Sequence, residues 1–399
     1  MTSRLEDLIA ELCPNGVEYY SLEELFVIKN GYTPSKSNSE FWTDGTVPWF
    51  RMDDIRAHGR VLSDSIQHVT KSAVKGGKLF PANSIILATT ATIGEHALVI
   101  VDSLANQQFT FFSKRESLDF NLDMKYVFYY FFIIDEWCKR NVNAASFASV
   151  DMPRLRKLEI PVPPLEVQAE IVRILDTFTE LTAELTAELT ARKKQYEYYR
   201  DTLLTFNDNN PLHSLISRYC PNGVEYKVLS DVSYMKRGTT VTKKSVNPGD
   251  IPVISGGREP AYYCNTFNRN GETITVAGSG AGAGFVQYWN KPIFVCDAFS
   301  VKGVDDLTLT KFLYYVLLSK QETIYATKKG GGVPHVHISS IKDFEIPVPP
   351  LEVQRQIVQI LDRFDALCND LTQGLPAEIE ARRKQYEYYR DQLLTFKRA

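Results

Sequence analysis

The sequence predicts an α+β protein in which two globular domains, related by a pseudo-two-fold axis, are joined by two long helices forming an antiparallel coiled coil. Three observations lead there. The chain is an internal duplication, each copy holds short β-type runs between Gly and Pro turns, and each copy closes on a stripe of apolar residues stepping by three and four.

The duplication is direct. CPNGVEY occurs at Cys13–Tyr19 and again at Cys220–Tyr226, and IPVPPLEVQ at Ile160–Gln168 and Ile346–Gln354. ARKKQYEYYRDTLLTF, Ala191–Phe206, returns as ARRKQYEYYRDQLLTF, Ala381–Phe396. Fainter echoes lie between, KNGYTPSK (Lys29–Lys36) with KRGTTVTK (Lys236–Lys243) and DGTVPWF (Asp44–Phe50) with PGDIPVI (Pro248–Ile254). The three blocks are nearly identical, whereas the stretches inside each copy have diverged. Two copies sharing a scaffold need the same scaffold residues; two copies reading different ligands need different reading residues. Gene conversion over drifting loops is the competing explanation.

Inside the copies, SIILATTATIG, HALVIVD and QQFTFFS in the first, and TITVAGS, GFVQYW and PIFVCDAF in the second, read as strands. A short aromatic helix follows each set, Met124–Phe132 and Thr310–Leu318, which points to a globule built on an antiparallel or mixed sheet. The prolines of IPVPP hold the chain extended, and Pro164 or Pro350 suits a helix start. From there the apolar stripe of copy one is Ile171, Ile174, Phe178, Leu181, Leu185, Leu189, Tyr196, Tyr199, Leu203 and Phe206. In copy two it is Ile357, Ile360, Phe364, Leu367, Leu371, Leu375, Ile379, Tyr386, Tyr389, Leu393 and Phe396. Some 40 residues of helix span ~60 Å, and so narrow a stripe favours a helix partner over the alternative of an amphipathic surface helix. In mid-rod, LTAELTAEL (Leu181–Leu189) is a tetrapeptide duplication, while Gly374 and Pro376 predict a kink or break in copy two.

At 399 residues, 44% hydrophobic and 23% charged, the chain is long enough for more than one core and too apolar for wholesale disorder. A net charge of −3 excludes a uniformly basic coat, so any DNA-facing surface must be local. The six cysteines form no C-x-x-C pair, so neither a disulfide framework nor a structural zinc is expected. The start, MTSRLEDLIAEL, carries acids where a signal peptide needs a basic then apolar run, and no uncharged apolar stretch is long enough for a span. The expectation is a cytoplasmic protein with no membrane partner.

Taken together, two diverged globules, each closed by I-P-V-P-P-L-E-x-Q and a long helix, resemble the specificity subunit of type I restriction-modification systems. The G-x-T-P-S…P-W run within Gly31–Trp49 also resembles that family's target-recognition domain. The resemblance covers essentially the whole chain. It implies target-recognition domains at 1–160 and 207–346, each reading one half of a bipartite double-stranded DNA target, and spacer helices at 161–206 and 347–399 that set the gap. It further implies a subunit without catalytic residues or cofactor of its own. Two modification subunits would methylate adenine with S-adenosylmethionine, and restriction or motor subunits would consume ATP with Mg2+. Copy two departs from the pattern, with Gly238-Thr239-Thr240-Val241 where copy one has GYTP.

Non-identical readers in a two-fold arrangement demand two different half-sites at a set spacing. Residues 1–160 carry a slight acidic excess and 207–346 a slight basic one, so partner subunits are expected to supply much of the phosphate grip. Contact candidates are polar or aromatic residues on Gly-rich turns; for each, a solvated loop is the alternative. In copy one they are Lys36, Ser37, Asn38, Trp42 and Arg51, then the amides Asn106, Gln107 and Gln108, since Asn and Gln can pair bidentately with adenine. In copy two they are Arg237, Thr240, Lys243, Lys244 and Arg258, then Lys328, Lys329, His335 and His337. In the repeated QYEYYRD block, Tyr198 and Tyr388 project off the seam and suit a partner-docking surface used twice, with ordinary helix packing as the alternative.

Several motifs are set aside. GSGAGA, Gly278–Ala283, matches a dinucleotide fingerprint after a strand, but no crossover helix precedes PIFVCD. His335-Val336-His337 would place two imidazoles on one strand face without a third ligand, so no metal is expected. No G-x-x-x-x-G-K-[ST] and no [DN]-P-P-[YF] occurs. Two rivals remain: a coiled-coil adaptor binding protein only, and a nucleotide-dependent enzyme using the Gly278–Gly284 turn.

Overall fold

The computed structural model describes residues 3–143, 148–330, 332–370 and 372–399. The chain divides into two compact units, Met1–Glu184 with Glu380–Ala399, and Leu185–Ile379. The sequence repeat and the spatial unit therefore differ: each unit is completed by helix from the other copy.

In the first unit, β1 (Tyr19–Ser21) pairs antiparallel with β12 (Glu159–Pro161), so the IPVPP block is a strand edge before it becomes a helix start. The central sheet runs in the order β2 (Phe26–Asn30), β9 (Phe109–Lys114), β6 (Ser84–Ala88), β7 (His96–Val99) and β4 (Val61–Leu62). Only β4 joins parallel. Every residue of β6 is buried, as the apolar run Ile85–Ala88 in a middle strand requires, and the buried Ser84 hydroxyl donates to Pro81 O. A smaller sheet sets β3 (Val47–Phe50) between β5 (His68–Val69) and, parallel, β8 (Leu104–Ala105). An antiparallel pair, β10 (Val142–Asn143) with β11 (Ser149–Val150), follows the aromatic helix. That helix runs Met124–Arg140, longer than its aromatic run suggested, and is capped by the Asp123 carboxylate accepting from the Lys125 amide.

The second unit repeats this plan. Its strands are β13 (Tyr226–Val228), β14 (Ser233–Arg237), β15 (Ile251–Ile254), β16 (Tyr262–Cys264), β17 (Glu272–Ala277), β18 (Val286–Asn290), β19 (Phe294–Val295), β20 (Ala298–Gly303) and β21 (Glu345–Pro347). They form β14-β20-β17-β18, β16-β15-β19 with β15–β19 parallel, and β13-β21. Thr310–Ser319 is the aromatic helix. Among the described residues, β4 has no counterpart here.

The long helices begin directly after the IPVPP blocks. Leu165–Leu203 is a single helix of 39 residues, whereas copy two breaks into Leu351–Asn369 and Leu375–Leu393. The break precedes Pro376, which sits in the tolerant first turn of the last helix. Gly374 makes it possible, since a Cβ there would lie 2.6 Å from the Ala366 carbonyl oxygen. Leu371, expected on the seam, lies outside the described residues. In the first unit Val167, Ile171 and Leu175 of the departing helix and Leu393 and Leu394 of the returning one join the same core, so the two run antiparallel. Phe178 stacks on Tyr389 there at 5.6 Å, and in the second unit Tyr199 stacks on Phe364 at 5.2 Å.

The near-identical blocks touch each other. Val17, in the first CPNGVEY, donates its amide to the Lys397 carbonyl at 2.9 Å, and the Tyr19 hydroxyl donates to Phe396 O at 2.8 Å. In the second unit Cys220 and Val224 pack in one core with Leu203, Leu204 and Phe206. Each CPNGVEY thus meets the helix end of the other copy, a physical reason for both to be held constant.

Candidate nucleic-acid interface

In the first unit the loop leaving β2 begins at Gly31, whose amide donates to Phe109 O at 2.8 Å while the Tyr32 amide donates to Ala105 O at 2.8 Å. A Cβ at Gly31 would lie 2.4 Å from the Asn106 carbonyl oxygen, so only glycine admits this approach. Upon this junction the reading candidates gather. Thr33 hydrogen-bonds the Gln107 side-chain oxygen, and Trp42 Nε1 donates to Ser35 O at 3.0 Å. The Trp42 and Trp49 rings meet edge to face at 5.0 Å, and Trp49 Nε1 donates to Tyr32 O. The Arg51 guanidinium lies 5.7 Å from the Trp49 ring and 3.9 Å from Asp53, and its Nε is buried without a partner. Lys36 and Ser37 are exposed on the same loop.

Three candidates are engaged internally. Asn38 Oδ1 accepts from the Glu40 amide and caps the turn Ser39–Phe41. Asn106 Nδ2 donates to Gln108 Oε1 at 3.2 Å, and the Gln108 amide donates back to Asn106 Oδ1. Gln107, exposed between them, gives up only its Oε1, which accepts from the Thr33 hydroxyl.

Sequence reasoning missed a neighbouring basic loop. Lys71, Lys75 and Lys78 are exposed on KSAVKGGK, whose Gly76 and Gly77 have φ of 65° and 66°. The Tyr32 hydroxyl accepts from the Lys75 amide at 2.8 Å, and Lys75 Nζ stands 4.6 Å from the Tyr32 ring. Three lysines and no acid in eight residues was the available signal, visible in the sequence but without a place until Tyr32 tied the loop to the junction.

The second unit builds the same junction from different residues. Gly238 donates to Ala298 O at 2.9 Å and Thr239 to Val295 O at 2.9 Å, and a Cβ at Gly238 would lie 2.1 Å from Cys296 O. GTTV therefore takes the path of GYTP. Arg237, Thr240, Lys243 and Lys244 are exposed around it. Asp297 links it to the Gly278–Gly284 turn, accepting the Gly278 amide on its carbonyl at 3.0 Å and the Ser279 hydroxyl on its carboxylate. Gly280 donates to Pro334 O, and a Cβ at Gly256 would lie 2.1 Å from Ser279 O, so the Arg258 and His335 segments close on the same turn. The Arg258 guanidinium lies 5.0 Å from the Phe285 ring, and Lys328 Nζ lies 4.1 Å from the Tyr325 ring. His335 exchanges backbone hydrogen bonds with Lys329. A regular strand was expected at His335–His337; the structure has only isolated bridges at His335, with the two rings near-parallel at 6.0 Å.

The glycines of this turn serve loop packing. The amides of Gly278, Gly280, Ala283, Gly284 and Phe285 all donate to protein carbonyls, and β17 returns directly as antiparallel β18. A phosphate cradle needs free amides at the start of a crossover helix. The turn thus lacks the crossover-helix setting of a dinucleotide fingerprint.

Tyr198 and Tyr388 are 67% and 63% exposed, whereas Tyr196 is buried. Among the described residues, no group of three His, Cys, Asp or Glu could hold a metal ion, and no helix is long and apolar enough to cross a membrane.

Residues 14–192 and 221–381 each match the type I restriction modification DNA specificity domain. The chain belongs to the type I restriction-modification specificity subunit family. The EcoprrI specificity subunit of Escherichia coli is 40% identical over 374 residues, 90% of either chain. The EcoR124I/EcoR124II specificity subunit of the same organism is 36% identical, over 68% of this chain and 71% of that one. The fold is shared with the type I S subunit of M. genitalium, at TM-score 0.59 and 17% identity over 96% of this chain and 97% of that one. A chain from a structural study of type I assembly and conformational transition superposes at TM-score 0.63, also at 17% identity, over 96% of this chain and 98% of that one. A specificity subunit with two DNA specificity domains accounts for the duplication and for the two unlike junctions.

Proposed function

We propose that each junction reads one half of an interrupted, non-palindromic DNA target, and that the helices fix the gap between halves. One observation carries this reading. The same glycine approach, at Gly31 and at Gly238, presents unlike side chains in the two units: Gln107, a tryptophan pair and a lysine loop in one, and Lys243, Lys244, Arg258 and His337 in the other. Positioning by phosphate contacts falls to the lysines and sequence reading to the amide, Arg and His edges. The chain itself is non-catalytic and acts in the cytoplasm. Two modification subunits dock through Tyr198 and Tyr388 and supply adenine methylation with S-adenosylmethionine, while restriction subunits supply ATP- and Mg2+-dependent motion and cleavage.

Methylome sequencing of a host expressing the complete system tests this. The expected result is one methylated motif of two different half-sites at a single gap. An uninterrupted motif, or no dependence of the motif on this subunit, would leave the protein-only adaptor as the better reading.

A further inference from the structure

Four polar residues recur at one constant offset of 186: two inside the diverged stretch of each copy, one closing the repeated IPVPPLEVQ block and one just beyond it. Lys125 answers Lys311, Tyr129 answers Tyr315, Gln168 answers Gln354 and Asp176 answers Asp362. In each unit these four tie the aromatic helix to the spacer helix by the same bonds. Gln168 is fully buried; its Oε1 accepts from the Asp123 amide at 2.8 Å, and its Nε2 donates to Pro163 O at 2.7 Å and Asn121 O at 3.2 Å. Gln354, equally buried, accepts from the Leu309 amide at 2.8 Å and donates to Pro349 O at 2.8 Å and Leu307 O at 2.9 Å. Two turns further along, Asp176 accepts from the Tyr129 hydroxyl at 2.5 Å and from Lys125 Nζ at 2.7 Å. Asp362 accepts from the Tyr315 hydroxyl and pairs with Lys311 Nζ at 3.4 Å. Burial, then the neighbouring carboxylate, pushes both tyrosines far above their ordinary range, so they stay protonated donors.

We infer that this duplicated latch is a positioning device that sets the angle of each recognition domain on its spacer helix, and through it the gap length. The inference rests on the functional reading above. One attachment would let a domain rock; two attachments eight residues apart on one helix, ~12 Å at ~1.5 Å per residue, define its angle. The tolerance is tight. A domain roughly 20 Å deep that tilts by about 10° moves its far face by about 3.5 Å, the rise of one base pair. A hydrophobic core alone is non-directional and would tolerate such a tilt; the satisfied buried amides of Gln168 and Gln354, with the half-buried Tyr–Asp bonds beyond them, would not.

The test uses the complete methyltransferase complex and duplexes with both half-sites intact and the gap at its native length, one base pair shorter or one longer. Methyl transfer is followed with labelled S-adenosylmethionine. For Asp176→Ala with Asp362→Ala, the preference for the native gap over its neighbours falls tenfold or more, while both half-sites stay required. Tyr129→Phe with Tyr315→Phe, which keeps the ring packing, shows the same direction should the first pair fail to fold. Ile86→Val, in β6 but in a separate core that holds no latch or spacer-helix residue, lowers the melting temperature without broadening gap choice. Unchanged gap preference in either folded double variant overturns the latch alone, as does equal broadening by Ile86→Val. A wild-type complex indifferent to gap length overturns the functional reading and the latch together.

Discussion

The two recognition ends display different side chains around the same pair of backbone hydrogen bonds. Gly31 and Gly238 make the same approach to the strand segment opposite, with amide bonds of 2.8 and 2.9 Å, though only the glycine and the threonine two residues on are shared between GYTP and GTTV. What surrounds them has nothing in common: an edge-to-face tryptophan pair and a lysine loop in one unit, a glycine turn stacked on a histidine segment in the other. The difference teaches that the constraint acts on the path of the chain, leaving the residues it displays free to change.

Breaking the path should cost most. Gly238→Ala places a Cβ 2.1 Å from Cys296 O, and is expected to destabilise the second unit by about 2–4 kcal/mol and abolish its half-site. At Gly257, whose nearest neighbour is 3.4 Å away, alanine should cost under about 1 kcal/mol. Thermal unfolding of both variants compares them, and equal losses would remove the argument from close approach.

Changing displayed charge should act next and on affinity only. Lys71→Ala, Lys75→Ala and Lys78→Ala together should lower the slope of log binding constant against log salt by about 2.7, at ~0.9 for each phosphate no longer neutralised. The bases read should not change. A salt titration of binding by the assembled complex checks this, and an unaltered slope would take the lysine loop out of the interface.

The smallest effect concerns a surface both copies share. Tyr198→Ala with Tyr388→Ala should leave unfolding within about 0.5 kcal/mol, because both rings are exposed, while weakening assembly with the modification subunits by about 1 kcal/mol or more for each ring. Analytical ultracentrifugation of the reconstituted complex reads this out, and normal assembly would end the docking assignment.

Features written in local pattern were legible in the sequence: the duplication, the 39-residue helix, and the break foretold by Gly374 and Pro376. In the first unit Trp42, Arg51 and Gln107, singled out on turns marked by Gly and Pro, lie about one junction. Features that depend on partners distant in the chain were not. Lys75 gains meaning only beside Tyr32, 43 residues earlier, and Asp176 only beside Tyr129, 47 residues earlier. Asn106 and Gln108 read as free amides in the sequence because nothing local reveals that they bond each other. Nor does a linear repeat announce that each compact unit borrows helix from the other copy.

Central to this account is that the helices measure while the recognition ends read. Deleting Thr182–Leu185, one unit of the tetrapeptide duplication, removes ~6 Å of helix, against ~3.4 Å per base pair. Methylome sequencing of a host carrying that deletion should return both half-sites unchanged and the gap shorter by about one to two base pairs. An altered half-site at an unaltered gap would contradict it.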